Sequence, residues 1–288
     1  MKPPISATLL TALMLAGVAQ AAPKAAAPPP PTPLVAPGVA DWRTPDPQNV
    51  LVIDTTKGRI IVEMNPRVAP LAVARVRDLT RAGIYNGRAF FRVIDKFMDQ
   101  TGDPLDTGTG GSDKPNLPAE FVFRRDAATP MVVVAREGGT ETGFIGALPV
   151  AGQTLDLALL TVDHKVNAWG LFCSGVAGMA RAEPPDSGNS QFFLMRGDVH
   201  SLDTKYTAWG RVIFGMDVVR AIKTGEPPVD PDKMTAVRLL ADIPVAQRPV
   251  IRIADARGAW ARAALDRARA QKVVGVTACD IDIPAEVK

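Results

Sequence analysis

The sequence predicts a mainly β protein, an antiparallel barrel or sandwich, and two observations carry that prediction. Runs rich in β-branched and aromatic residues recur beside glycine turns: "NVLVIDTTKGRIIVEMN" (49–65), "FFRVIDKF" (90–97), "SQFFLM" (190–195) and "YTAWGRVIFG" (206–215). Helical spacing is confined to three stretches, so a sheet must supply most of the core.

The chain opens with Lys2, an apolar run from Ile5 to Val18, and Ala19-Gln20-Ala21, the pattern of a secretory signal peptide over 1–21. No later segment reaches the roughly 18 uncharged residues that a bilayer span needs, so the mature chain is expected in the periplasm without membrane insertion. Residues 22–40, rich in Ala and Pro, read as an extended, disordered linker. Thirty-three basic residues stand against 30 acidic, a formal charge of +3 that falls to +2 when Lys2 is removed. Such balance argues against a nucleic-acid partner. Two histidines and two cysteines cannot readily assemble a zinc site.

The first β runs flank Thr56-Lys57-Gly58 and read as a hairpin. "APLAVARVRDLTRAG" follows as a helix, with Pro70 at its start, Gly83 at its end and Val73, Val76 and Leu79 on one buried face. A strand is expected over Phe90–Phe97, then a glycine-dense loop. Strands over "SQFFLM" and "YTAWGRVIFG" and a short helix over Met216–Ile222 complete the domain, taken as 41–248. In the C-terminal extension, 249–288, a strand precedes a helix that Asp255 could cap, with Trp260, Ala261, Ala264, Leu265 and Ala268 as its apolar stripe.

Two polar residues stand out. Alternation puts Phe90, Arg92 and Ile94 on one face, so a guanidinium that is always charged sits among hydrophobes. It must snorkel at an edge, meet a carboxylate or act as a donor in a cleft. Gln191 likewise shares a face with Phe193 and Met195. Pattern alone is equally served by two core strands with polar edges.

"FFRVIDKFMDQTGD", "GTGG" (108–111) and "MARAEPPDSGNSQFF" (179–193), in this order, resemble the cyclophilin family of peptidyl-prolyl cis-trans isomerases. The resemblance runs from about Val50 to Ile243 with one large interruption. It implies a closed antiparallel eight-stranded β-barrel capped by two helices, with proline-containing segments of exported proteins as substrates, no cofactor, and a chain acting as a monomer. Arg92 matches the family's catalytic arginine. Phe97, Met98, Phe193 and Leu202 match the walls of its proline pocket. Gln100, Ala180 and Gln191 match positions that contact substrate backbone, and Arg181 stands where bacterial members resemble this chain. Ser201 and Tyr206 replace a tryptophan and a histidine of eukaryotic members at the pocket rim, which implies weak cyclosporin binding. A rival reading keeps the pocket as a non-catalytic peptide-binding or chaperone module of the envelope.

Residues 121–169 exceed the usual family connection by about 40 residues, longer than loops without their own structure usually run. This insertion has β-rich pieces, "MVVVA" and "LDLALLTV", around the glycine-rich "GGTETGFIGALPVAG". It could be a lid, a partner surface or edge decoration. Cys173 and Cys279 could pair in an oxidising compartment and staple the extension to the domain, or remain two buried thiols.

Overall fold

The structure, a computed structural model, describes residues 35–129, 131–271 and 275–288; the signal peptide and linker residues 22–34 lie outside them. Residues 35–38 have no regular structure and lead into a 3-10 turn, Val39–Asp41. Strand β1 (Trp42–Arg43) precedes the hairpin of β2 (Val50–Thr55) and β3 (Gly58–Met64), turning where expected. Helix α1 spans Pro70–Arg81. Its first free N–H groups, on Leu71 and Ala72, donate to the Glu120 carboxylate at 2.8 Å each, a cap supplied by a distant residue.

The expected strand at 90–97 forms only at its centre, and a second strand begins just beyond it. Strand β4 is Arg92–Ile94 and β5 is Met98–Thr101, with Asp95–Lys96 as a turn and Lys96 at φ 58°. No glycine marks this turn, so the apolar run conceals it.

The insertion forms β6 (Phe123–Arg125), β7 (Val132–Glu137), β8 (Thr140–Ile145) and β9 (Leu148–Gln153), and with β10 (Val166–Gly170) builds a five-stranded sheet in the order β6-β10-β9-β8-β7. Two expectations change here. The glycine-rich segment is itself two paired strands, and "LDLALLTV" is a 3-10 helix over Leu155–Leu160.

Strands β11 (Val176–Met179), β12 (Phe192–Met195) and β13 (Ala208–Phe214), helix α2 (Met216–Ala221) and β14 (Met234–Leu239) complete the main sheet. Its eight antiparallel strands run in the order β14-β2-β3-β13-β11-β12-β5-β4. The two ends meet through isolated backbone bonds: Phe90 N–H donates to Asp232 O at 2.9 Å, and Met234 N–H to Arg88 O at 2.9 Å. The barrel therefore closes without a continuous last ladder.

The C-terminal strand and helix are β15 (Ile251–Ala254) and α3 (Ala259–Gln271). Asp255 does not cap α3 as expected. Its carboxylate takes the Arg257 N–H at 2.9 Å, and the helix begins two residues later. A last strand, β16 (Ala285–Val287), pairs with β15, whose other edge takes β1.

Side-chain alternation divides the interior. Leu51, Ile53, Phe192 and Leu194 point into the barrel against Val73 and Val76 of α1 and Val219 of α2. On the other faces of β2 and β3, Val50, Val52 and Ile61 pack on Ile251 and Ile253. The continuous "VLVI" run is apolar throughout because both of its faces are covered. Among the described residues, no helix is long and apolar enough to cross a membrane, and no group of three His, Cys, Asp or Glu could hold a metal ion.

Candidate active site

Register assembles the site on the outer face of β4, β5 and β12. Arg92 pairs with Gln100, and Gln100 pairs with Phe193, giving one row across three strands; Ile94, Met98 and Met195 form the next. The row continues to Gly178 of β11. A Cβ there would lie 2.5 Å from Phe193 Cζ and 2.7 Å from Phe172 Cε1, so glycine is what lets both rings lie over the strand. Phe172 and Phe193 stack with centroids 5.8 Å apart, and Tyr206 meets both edge-on at 6.4 and 5.9 Å. Phe97 and Leu202 pack against the same apolar cluster, which also holds Met98.

A chain of amides orients the polar side. Gln191 Nε2 donates to Gly108 O at 3.0 Å and Gly110 O at 2.8 Å. This leaves Gln191 Oε1 to accept from Gln100 Nε2 at 2.9 Å, which turns Gln100 Oε1 toward Arg92 Nη1 at 3.4 Å. Two carbonyls of the glycine loop thus fix which end of each amide faces the arginine.

The buried Asp103 carboxylate holds that loop, accepting N–H groups of Leu105, Thr107, Gly108 and Gly110 at 2.8, 2.9, 2.6 and 3.1 Å. A side chain at Gly110 would overlap Asp103 Oδ1. Burial alone would raise the Asp103 carboxyl, but these four donors outweigh it and hold the group below the ordinary carboxylate range.

Arg92 meets a carboxylate as well. Its Nε donates to Glu226 Oε2 at 2.7 Å, and its guanidinium carbon lies 5.9 Å from the Phe97 ring centre. Beside this row, a cleft of about 550 Å³ runs between Gln100, Gly110, Ala180, Arg181, Asn189 and Gln191. Arg181 stacks 4.5 Å over Tyr206 and donates to the carbonyls of Lys205, Ala182 and Glu183. Ala180 N–H donates to Gln191 O at 3.0 Å.

Arg92, Gln100, Gln191, Ala180 and Arg181 therefore stand beside an apolar group of Phe97, Met98, Phe193, Leu202 and Tyr206. Ser201 sits exposed on a 3-10 turn, His200–Leu202, with no hydrogen bond or ring contact to that group among the described residues. No sequence pattern singles out Phe172, Asp103 or Glu226. Phe172 stands in "GLFCSG" without an alternating pattern, and Glu226 is brought in from 134 residues away. Behind the aromatic wall, Cys173 and Cys279 lie with sulfurs 2.04 Å apart and Cα atoms 5.2 Å apart, in disulfide geometry.

The barrel thus carries an arginine and two glutamines beside an apolar cluster that holds Met98 and Phe193, with Phe97 and Leu202 packed against it. The family described as "Cyclophilin type peptidyl-prolyl cis-trans isomerase/CLD" matches residues 50–240, and the chain belongs to it. A probable peptidyl-prolyl cis-trans isomerase of Brucella suis is 33% identical over 213 residues, covering 68% of this chain and 85% of the relative. Peptidyl-prolyl cis-trans isomerase-like 1 of Bos taurus is 28% identical over 198 residues, with 67% and 91% covered. Among solved structures, the cyclophilin AquaCyp293 from Hirschia baltica is 36% identical with a TM-score of 0.79, over 85% of this chain and 93% of that one. That match extends beyond the family segment, so the likeness includes much of the added structure. The protein is an enzyme, a peptidyl-prolyl cis-trans isomerase.

Proposed function

We propose that the enzyme accelerates rotation about Xaa-Pro bonds in proteins exported to the bacterial periplasm, acting as a monomer, with Arg92 as its catalytic residue. The carrying observation is the state of the Arg92 guanidinium. It is held at Nε and Nη1, while Nη2 has no partner among the described residues and the Phe97 ring of the apolar cluster lies 5.9 Å away.

The barrier to be lowered, roughly 18–20 kcal/mol, comes from amide resonance. As the bond twists, the prolyl nitrogen lone pair localises and becomes an acceptor that neither planar state offers. A donor placed there stabilises the transition state selectively. Phe97, Met98, Phe193 and Leu202 grip the ring, with Tyr206 at the rim, while Gln100, Gln191, Ala180 and Arg181 meet the preceding backbone. No cofactor enters.

Export rests on Lys2, the apolar run and Ala19-Gln20-Ala21, and the close approach of Cys173 to Cys279 suits an oxidising compartment.

Exchange NMR of a short Xaa-Pro peptide with wild type and Arg92→Ala tests the chemistry. Loss of one charged donor should slow the catalysed exchange about 10²-fold or more. Equal rates would remove Arg92 from the reaction. Peptide binding by wild type without acceleration would make the pocket a binding module.

A further inference from the structure

We infer that Glu226 is a positioning residue for isomerisation, holding the Arg92 guanidinium in the orientation that the twisted prolyl bond requires. The inference rests on the role proposed for Arg92.

Three observations bring Glu226 to that place. Val93, next to Arg92, bonds Gly225 in both directions: Val93 N–H donates to Gly225 O at 2.8 Å, and Gly225 N–H to Val93 O at 2.9 Å. This isolated bridge sets the residue after Gly225 opposite the residue before Val93. Gly225 itself has φ 151°, and a Cβ there would lie 2.5 Å from Pro228 Cα, so the loop reaches the barrel mouth only with glycine. The Glu226 carboxylate then takes Arg92 Nε at 2.7 Å.

A guanidinium is a rigid planar fork at the end of a flexible stem. The Gln100 contact, at 3.4 Å, is too long to fix its plane alone. Glu226 at Nε and Gln100 at Nη1 together define the plane and leave Nη2 as the donor not engaged by either. Both partners of the ion pair are well exposed, at 38% and 53%, and exposed pairs add little to folding. The consequence of the pair falls on the arginine's orientation, where a displacement of about 1 Å can slow a reaction a hundredfold.

The test compares Glu226→Ala and Glu226→Gln with wild type in the full mature chain, reading catalysed exchange at saturating peptide, peptide Kd, and the Arg92 Nε–H signal in ¹⁵N NMR. Glu226→Ala should lower the saturated rate about tenfold with Kd little changed, and should lose the protected Nε–H signal. Glu226→Gln keeps an oxygen that accepts from Nε, so most of the rate should return. Adding Glu226→Ala to Arg92→Ala should slow exchange no further, because Glu226 acts through the arginine.

A wild-type rate or a faster one in Glu226→Ala overturns the inference. So does an equal loss in the Arg92→Ala background. Arg92→Ala that exchanges as fast as wild type would sink the arginine reading itself. Arg92→Ala slow beside Glu226→Ala fast would sink only the role of Glu226.

Discussion

The barrel mouth and the layer built by residues 121–169 and 249–288 bury polar groups for different ends. At the mouth, Asp103 gathers four backbone N–H groups so that two glycine carbonyls face Gln191, and the effect is passed outward to Arg92. In the added layer, Arg125 and Glu141 pair at 2.7 Å with side chains only 1% and 2% exposed, and their further bonds go to Gln153 O and Leu155 N of the same insertion. Polar burial at the mouth orients a side chain at the surface, Arg92. In the layer it closes on itself.

The two regions nevertheless share one apolar body. Phe193 and Met98 of the barrel, Phe144 and Val150 of the insertion and Trp260 of α3 belong to the same cluster. The added layer thus backs the apolar cluster that holds Phe193 and Met98 rather than forming a separate lobe. Three variants break or sharpen this comparison.

The largest effect is expected from Glu141→Ala, which leaves the Arg125 charge buried without its partner, a loss of about 3–5 kcal/mol. Hydrogen exchange should speed in β6, β9 and β10, while peptide isomerisation by the folded fraction stays near wild type. A collapse of the catalysed rate at full folding would show the layer acting in the reaction.

Cys279→Ser comes next. Cys173 and Cys279 are 106 residues apart, and loss of such a cross-link should lower stability by about 2–4 kcal/mol in urea unfolding. Wild type should take up alkylating agent only after reduction. Free reaction of both thiols would mean that the staple is not formed in the protein.

Gly178→Ala is the mildest, at about 1–3 kcal/mol, because a new methyl must displace the Phe193 and Phe172 rings. Its signature should be weaker peptide binding with the Arg92 Nε–H signal intact, measured by titration. Unchanged binding would place the proline ring elsewhere.

Legibility in the sequence followed distance along the chain. The 56–58 hairpin turn, the limits of α1 and the facing of Phe192 against Phe193 depend on neighbours a few residues away, and periodicity reveals them. The Asp95–Lys96 turn was hidden because it carries no glycine, and a non-glycine residue takes the positive φ. "GGTETGFIGALPVAG" reads only as a glycine-rich segment, yet it is two strands. There glycine serves close approach: a Cβ at Gly143 would strike Val132 O.

By itself the sequence determined the β architecture, the order of its motifs and the family to which they belong, because alternation and turn chemistry are local and motif spacing is preserved in the chain. Only the tertiary structure decided that β1 and β16 flank β15, that Phe172 completes the aromatic wall, that Cys173 meets Cys279, and that Glu226 grips Arg92. Each of these joins residues far apart along the chain. Such contacts are set by strand register and barrel closure, which no single segment encodes.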